Sequence, residues 1–499
     1  MKKKAAVIGA GIGGLASACI LAKEGWDVKV FDNNRKAGGR CNIMEAQGFV
    51  YDMGPSWYLM PDIFEKFFAL LNERVDDHLE LVKLSPSYRV FFKGGRQVDF
   101  YSDLARDAQT ADSLEPGAGQ RLREYLKMAA YQYNIAMGKF VWRNYDSPLD
   151  FFNWRMLSQG VKLSVFSRMQ DYVGRFFKSP QMQKVAQYTL VFLGSSPYNT
   201  PAFYNIMSHV DLDMGVFYPQ GGLYKIVEAL EKIAARSGAQ FHYNSDVSRI
   251  LTYGSLADGI ELAAGDKVPA DVVISNADIY HTETDLIKEQ RLRSYSRRYW
   301  RTRVVAPSGL VLYLGVKDKI PSLAHHNLLF SADWGKNFSD IFDEPRWPRD
   351  PSFYVCCPSK TDPAVAPRGK ENLFVFVPIP AGLEYGPGEL SAYTDRILHM
   401  MEKEMNIPSL RSRLQVKHHF CVKDFVSRYH SFRGSALGLA HTLGQTAMFR
   451  PANRSRKIRN LFYAGGNTLP GIGVPMCLIS ADLACRRILS GTYRSMAQP

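Results

Sequence analysis

Lys4-Ala5-Ala6-Val7-Ile8 runs directly into Gly9-Ala10-Gly11-Ile12-Gly13-Gly14, and the reading of this stretch decides the fold. The apolar run predicts a short strand and the glycines a tight turn. Leu15, Ala18, Cys19 and Ala22 then recur at the spacing of a helix that stops near Gly25. Val28-Lys29-Val30-Phe31-Asp32 predicts a second strand with a carboxylate at its end. In such a unit Gly9 turns the chain off the strand, Gly11 leaves room for a pyrophosphate, and Gly14 lets the helix pack closely on the sheet. The helix start, with Gly13 in it, aims unpaired N–H groups and the positive end of its dipole at the phosphates. Asp32 stands where a carboxylate holds ribose hydroxyls. The chain thus begins with a dinucleotide cradle, and Gly38-Gly39-Arg40 just beyond it points to a flavin more than to a nicotinamide.

Beyond this stretch, 499 residues suffice for two or three domains or for one large interleaved fold. A hydrophobic content of 46% is that of an ordinary globular protein with a real core. Cys19, Cys41, Cys356, Cys357, Cys421, Cys477 and Cys485 contain no C-x-x-C pair and no zinc-like spacing with histidine. They read as reduced thiols of a cytoplasmic protein, and no metal is expected. Met1-Lys2-Lys3-Lys4 imitates the start of a signal peptide, but glycines break the apolar run behind it. No run approaches the roughly eighteen apolar residues of a spanning helix, so the chain is not expected to cross a membrane. Lys and Arg number 62 against 48 Asp and Glu, a net charge of +14. No nucleic-acid module and no concentrated basic block is visible along the chain. Nucleic acid is therefore not an expected partner; an anionic lipid surface, an acidic ligand and a merely soluble basic surface all remain open.

Nucleotide-domain signals recur in the middle and at the end. Val216 to Leu223 opens a second region, with a helix over about 224–236, a strand over 239–243 and Val247 shortly after it. Ala270 to Asp278 is a further buried strand leading to a turn. Leu461 to Ala464 is another, followed by Gly465-Gly466-Asn467-Thr468 and a helix from about Met476 to Leu489. Short β-type runs at 88–92, 310–314, 353–357 and 373–378 lie between these signals. The expected division is a discontinuous cofactor domain from 1–85, 215–290 and 440–499, with a substrate domain from 86–214 and 291–439.

With these strings, the layout resembles the flavin amine oxidase superfamily and, within it, the bacterial-type phytoene desaturases and related carotenoid desaturases. The resemblance covers nearly the whole chain. It rests on Gly9 to Gly14, Asp32, Gly38-Gly39-Arg40, Asp52-Met53-Gly54-Pro55-Ser56, Phe217 to Gly222, Ser275 to Asp278 and, most specifically, Gly465 to Met476. Two positions depart from it: Asp32 where many members have Glu, and Leu469 where many have His, so no role of that His carries over. The resemblance implies an α/β fold, with a Rossmann-like (GR2-type) FAD-binding domain, an interleaved α+β substrate domain and a helical membrane-facing part. It implies non-covalent FAD held by Gly9, Gly11, Gly13, Gly14, Asp32, Gly38, Gly39, Arg40, Gly54, Pro55, Ser56, Val247, Gly465, Gly466, Val474, Pro475 and Met476. The helix starting near Val474 would turn its N-terminus toward the flavin's pyrimidine side. No second dinucleotide turn seats NAD(P)H, which fits oxygen or a quinone as final acceptor.

The implied reaction is hydride loss from a lipophilic polyene, phytoene being the expected substrate, with a proton lost to an unidentified acceptor. His281, His441, Asp362 and Arg450 lie near the matching blocks and are candidates for that chemistry, though a lone histidine in such a block is commonly structural. The segment 139–178 interleaves aromatic and basic residues, with Val165, Phe166, Met169, Tyr172, Val173, Phe176 and Phe177 at helical spacing. Since such a substrate dissolves in lipid, the segment reads as a helical one docking on the cytoplasmic face of a membrane, with a core helix of the substrate domain as the alternative. Other readings on the same scaffold are an amine or porphyrinogen oxidase, a desaturase of a later or shorter carotenoid and a non-catalytic prenyl-binding escort.

Overall fold

The computed structural model describes residues 2–145, 167–489 and 493–497. The stretch that opens the chain folds as read: strand Lys4–Ile8, helix Ile12–Lys23, strand Asp27–Phe31. These strands belong to a five-stranded parallel sheet ordered 461–463, 272–275, 4–8, 27–31, 240–242. A parallel sheet is covered on both faces, which is why its strands are apolar runs without alternation. The helix Ile12–Lys23 is buried all round from Ile12 to Ala22, because the helices Tyr224–Arg236 and Val474–Ile488 flank it. Gly14 makes this possible. A Cβ there would stand 2.0 Å from the carbonyl oxygen of Gly9, so only glycine lets helix and turn approach so closely.

A second sheet has seven strands, ordered 414–420, 308–316, 371–379, 353–356, 326–330, 88–92, 97–100. Its long strand pair, Ser308–Val316 against Glu371–Ile379, is antiparallel through nine residue pairs. Here the two faces of the sheet part company. Val375, Val377 and Ile379 pack under the helix Pro387–Glu404, whereas Phe374, Phe376 and Pro378 face a cavity. The alternation follows from the two-residue repeat of a strand.

The described part of 139–178 bears on the two readings of that segment. Met169, Tyr172, Val173 and Phe177 are buried and pack around Tyr125, so the stripe over the helix Met169–Phe176 turns into the core rather than outward. Residues 146–166, with Val165 and Phe166, lie outside the described residues. Among the described residues no helix is long and apolar enough to cross a membrane.

Candidate functional site

A cavity of about 910 Å³ starts at the glycine turn and continues beneath the seven-stranded sheet. Its first part is built from backbone. Gly9, Gly11 and Gly13 line it beside Gly38, Gly39 and Arg40, with Asp32 and Val247 on the same side. Gly54, Pro55 and Ser56 form the join to the second part, and Gly465, Gly466, Val474, Pro475 and Met476 close the opposite wall. Gly14 alone of the expected residues does not line the cavity; its role is the helix packing described above.

Local hydrogen bonds explain why this wall holds its shape. Asp32 Oδ2 accepts from the Ala10 N–H at 2.7 Å and Oδ1 from the Asn34 N–H at 2.8 Å, so its carboxylate braces the turn as well as facing the cavity. Gly38 sits at φ +122°, where a side chain would be strained, and its added Cβ would stand 2.4 Å from the Cys41 carbonyl oxygen. The Arg40 guanidinium donates from Nη2 to Ser431 Oγ at 2.9 Å, while its Nε is buried without a partner. A buried unpaired donor beside a bare glycine wall fits an anionic group such as a pyrophosphate. Across the cavity the helix Val474–Ile488 begins with Gly473 and Pro475, so its free N–H groups and positive dipole end point inward.

The sequence groups Arg450 with the chemistry, but the structure gives it a different task. It is buried and donates to the carbonyls of Gly466 at 2.6 Å, Leu439 at 3.1 Å and Thr468 at 3.1 Å, tying the 439–450 segment to the C-terminal turn. Burial pushes its pKa down to about 10, so it keeps its charge at neutral pH. Asp362 is not in the cavity: it accepts from the Gly221 N–H at 2.7 Å and from the Tyr218 hydroxyl at 3.4 Å. His281 lines the cavity, bonded to Asp285 at 2.7 Å and stacked on His430. His441 also lines it. Its Nε2 accepts from the Ile472 N–H at 3.2 Å and its Nδ1 meets the Tyr204 hydroxyl at 2.6 Å. With burial, and then the Arg450 charge, holding its pKa well below the usual range, the ring is neutral and its lone pair is already engaged. His441 thus positions the Ile472 backbone and is not a free base.

The second part of the cavity is lined by residues that no sequence motif marks. Trp57, Tyr188, Phe330, Tyr354, Phe374 and Phe376 face it. Two signals were present in the sequence: Trp57 follows the Gly54-Pro55-Ser56 block directly, and Phe374, Phe376 and Pro378 alternate along one strand. The support of Trp57 was hidden. Its ring stacks on His326 at 4.2 Å and 6°, and His326 Nδ1 is held by the Tyr354 hydroxyl at 2.7 Å, which also meets Ser56 Oγ at 2.8 Å. His325, His326 and Cys356 gather within 4.8 Å, because His326 and Cys356 are cross-strand partners that no chain spacing reveals. All three are buried, and none lines the cavity. Burial brings His325 down to about 3, and burial together with the neighbouring His325 holds His326 well below the usual histidine range, so both rings are neutral groups behind the wall.

Acidic groups are confined to one end. Among the described residues the carboxylates lining the cavity are Asp32, Asp246 and Asp278, all beside the glycine turn or the 276–278 turn. The aromatic part holds none. It is a largely apolar slot suited to a long apolar molecule, with tyrosine hydroxyls, Asn337 and Ser352 among its polar features.

Residues 12–489 match the family model described as flavin containing amine oxidoreductase. The chain is 44% identical over 479 residues to a carotenoid 3,4-desaturase of Haloarcula japonica, covering 95% of this chain and 96% of the relative. It is 37% identical over 498 residues to a zeta-carotene-forming phytoene desaturase of Myxococcus xanthus, covering 98% and 95%. Among solved structures it superposes on wild-type putrescine oxidase bound to putrescine with a TM-score of 0.63 at 15% identity, covering 98% of both chains.

Proposed function

The chain belongs to the flavin-containing amine oxidoreductases, and on that premise we propose that it is an FAD-dependent carotenoid desaturase. One observation carries the reading: a cradle for a dinucleotide opens without a break into an apolar, aromatic slot that holds no carboxylate. An amine substrate has a cation that a binding site must pair; a hydrocarbon has none and gains its affinity from buried surface, about 25 cal/mol per Å². The retained glycines and the open Arg40 Nε favour a bound cofactor over a non-catalytic escort.

FAD, when bound, supplies the acceptor for a hydride. The rest falls to the chain. Gly9, Gly11, Gly13, Gly38, Gly39 and Arg40 would hold the pyrophosphate, and Asp32 the ribose. The N-terminus of the helix Val474–Ile488, with Val474, Pro475 and Met476, would favour negative charge on the nearby ring system. Gly54, Pro55, Ser56, Val247, Gly465 and Gly466 complete the wall. In the slot, Trp57 and the neighbouring ring faces would stabilise positive charge at an allylic carbon and keep water away from it. With both ring nitrogens of His441 engaged, the proton would not pass to that ring. Oxygen or a quinone would take the electrons back, and the substrate would be drawn from the cytoplasmic face of a membrane.

We assign 1–85, 215–290 and 440–499 to the cofactor domain and 86–214 and 291–439 to the substrate domain. All five strands of the parallel sheet fall in the first set and all seven of the other sheet in the second, which supports the division. The substrate is phytoene on this reading. The relative at 44% identity favours a second one, a later carotenoid, within the same chemistry. The test is to express the chain in cells that accumulate phytoene, and separately in cells that accumulate later acyclic carotenoids, and to identify pigments by chromatography. Products with longer conjugation from phytoene are expected. Conversion of a later carotenoid alone moves the substrate, and conversion of neither overturns the proposal.

A further inference from the structure

Two basic stretches far apart in the chain meet at the outside of the cavity. Residues 290–317 hold six arginines and one lysine, residues 425–481 hold six arginines and one lysine, and neither stretch contains an Asp or Glu. Val304 and Gln445 join them: the Val304 N–H donates to Gln445 Oε1 at 2.7 Å, and Gln445 Nε2 donates to the Val304 carbonyl at 2.8 Å. On one side of the join, Arg297, Arg298 and Arg301 stand exposed on or beside the short helix Arg297–Arg301, and Arg303 lies over the Tyr299 ring at 4.5 Å. None of these four forms an ion pair among the described residues. On the other side are Leu443 and Phe449. Both line the cavity, yet they are 47% and 54% exposed.

Large apolar side chains that belong to a cavity wall and also face outward mark a rim, and this rim is bordered by uncompensated positive charge. We propose that the rim formed by Leu443, Phe449 and the arginines of 297–303 is the face on which the protein docks to an anionic lipid bilayer, with Leu443 and Phe449 entering the headgroup region. The inference deepens the carotenoid reading, on which it rests for its purpose: a substrate dissolved in acyl chains passes from bilayer to slot without crossing water. The chemistry argues for lipid. A nucleic acid would meet the arginines but leave the two apolar side chains with nothing to cover them, whereas a bilayer surface satisfies both kinds of group at once.

The test uses the full chain with FAD bound and vesicles of phosphatidylcholine, with and without phosphatidylglycerol, in the absence of any carotenoid. Co-sedimentation with phosphatidylglycerol vesicles is expected, weakening as salt is raised. Each of Arg298→Glu and Arg301→Glu is expected to reduce partitioning by at least about fivefold, the worth of one interfacial basic residue. Leu443→Ser with Phe449→Ser should reduce it on both kinds of vesicle, whereas Lys232→Glu, on the exposed side of the helix Tyr224–Arg236, should leave it unchanged. Flavin content and thermal midpoint establish that each variant is folded. Absence of vesicle binding by the parent chain overturns the proposal. So does binding that the rim variants leave intact, or binding of these arginines to a DNA duplex but not to vesicles. Vesicle binding that follows the rim, joined to failure of every carotenoid assay, keeps the docking face and removes the substrate reading.

Discussion

At the scale of single residues, the cradle rests on atoms that are absent. Gly14 has no Cβ, and the space is filled by the Gly9 carbonyl oxygen; Gly38 holds a φ that other residues avoid. Gly14→Ala is therefore expected to destabilise the protein by about 1–3 kcal/mol through overpacking of backbone on backbone. It should also yield protein with reduced flavin content, as read by thermal unfolding and by the absorbance of the purified chain. Retention of both the midpoint and the full flavin complement would contradict the role given to this glycine. The candidate residues show how far reading by type carries. Asp32 and Arg40 were legible because their chemistry and their distance from the turn belong together in the chain. His441 and Arg450 were legible only as unusual residues. That one accepts a backbone N–H and the other gathers carbonyls depends on loops that meet only after folding.

At the scale of elements, the period of a strand decides which side chains meet the substrate slot. In Glu371–Ile379 a shift of one residue would exchange Phe374, Phe376 and Pro378 for the aliphatic side chains that pack under the helix Pro387–Glu404. Packing under the sheet also buries charge. The π-turn Val210–Met214 carries Asp211 inward, where it meets the Tyr88 hydroxyl at 3.1 Å, and burial raises its pKa to about 7. An unfolded aspartate titrates near pH 4. The unfolded chain therefore releases this proton first as pH rises. The stability that the neutral carboxyl contributes is complete below about pH 4 and is lost as pH rises through about 7, with a slope of up to about 1.4 kcal/mol per pH unit. Denaturant unfolding followed across that window should show the decline, and Asp211→Asn should reduce its slope, the buried Asp52 and Asp107 keeping a share of it. An equal slope in the variant would place the titration elsewhere.

At the scale of the whole molecule, the proposed cofactor site and substrate slot share one cavity, walled by stretches from both ends of the chain and from its middle. Such a space is stabilised by what fills it. Stripping FAD is expected to lower the unfolding midpoint, and returning FAD at about a hundredfold excess over its dissociation constant should restore about 2.7 kcal/mol; an apo-protein as stable as the loaded one would deny that the cradle closes on the cofactor. The sequence by itself determined the dinucleotide turn, the three scattered blocks that complete its wall and the family to which they belong. These are local matters, fixed by glycine geometry, strand and helix period, and short spacings along the chain. Only the tertiary structure decided the rest. It turned the described part of the aromatic stripe over 165–177 into the core, stacked Trp57 on a histidine reached across two strands, and brought two basic stretches to the mouth of the slot. No concentrated basic block is visible along the chain because the charge is divided between segments more than a hundred residues apart. The two segments are joined only in the fold, through the hydrogen bonds of Val304 with Gln445. The opening stretch points to what would hold the oxidant; the route proposed for a hydrocarbon depends on contacts between segments that sequence spacing does not relate.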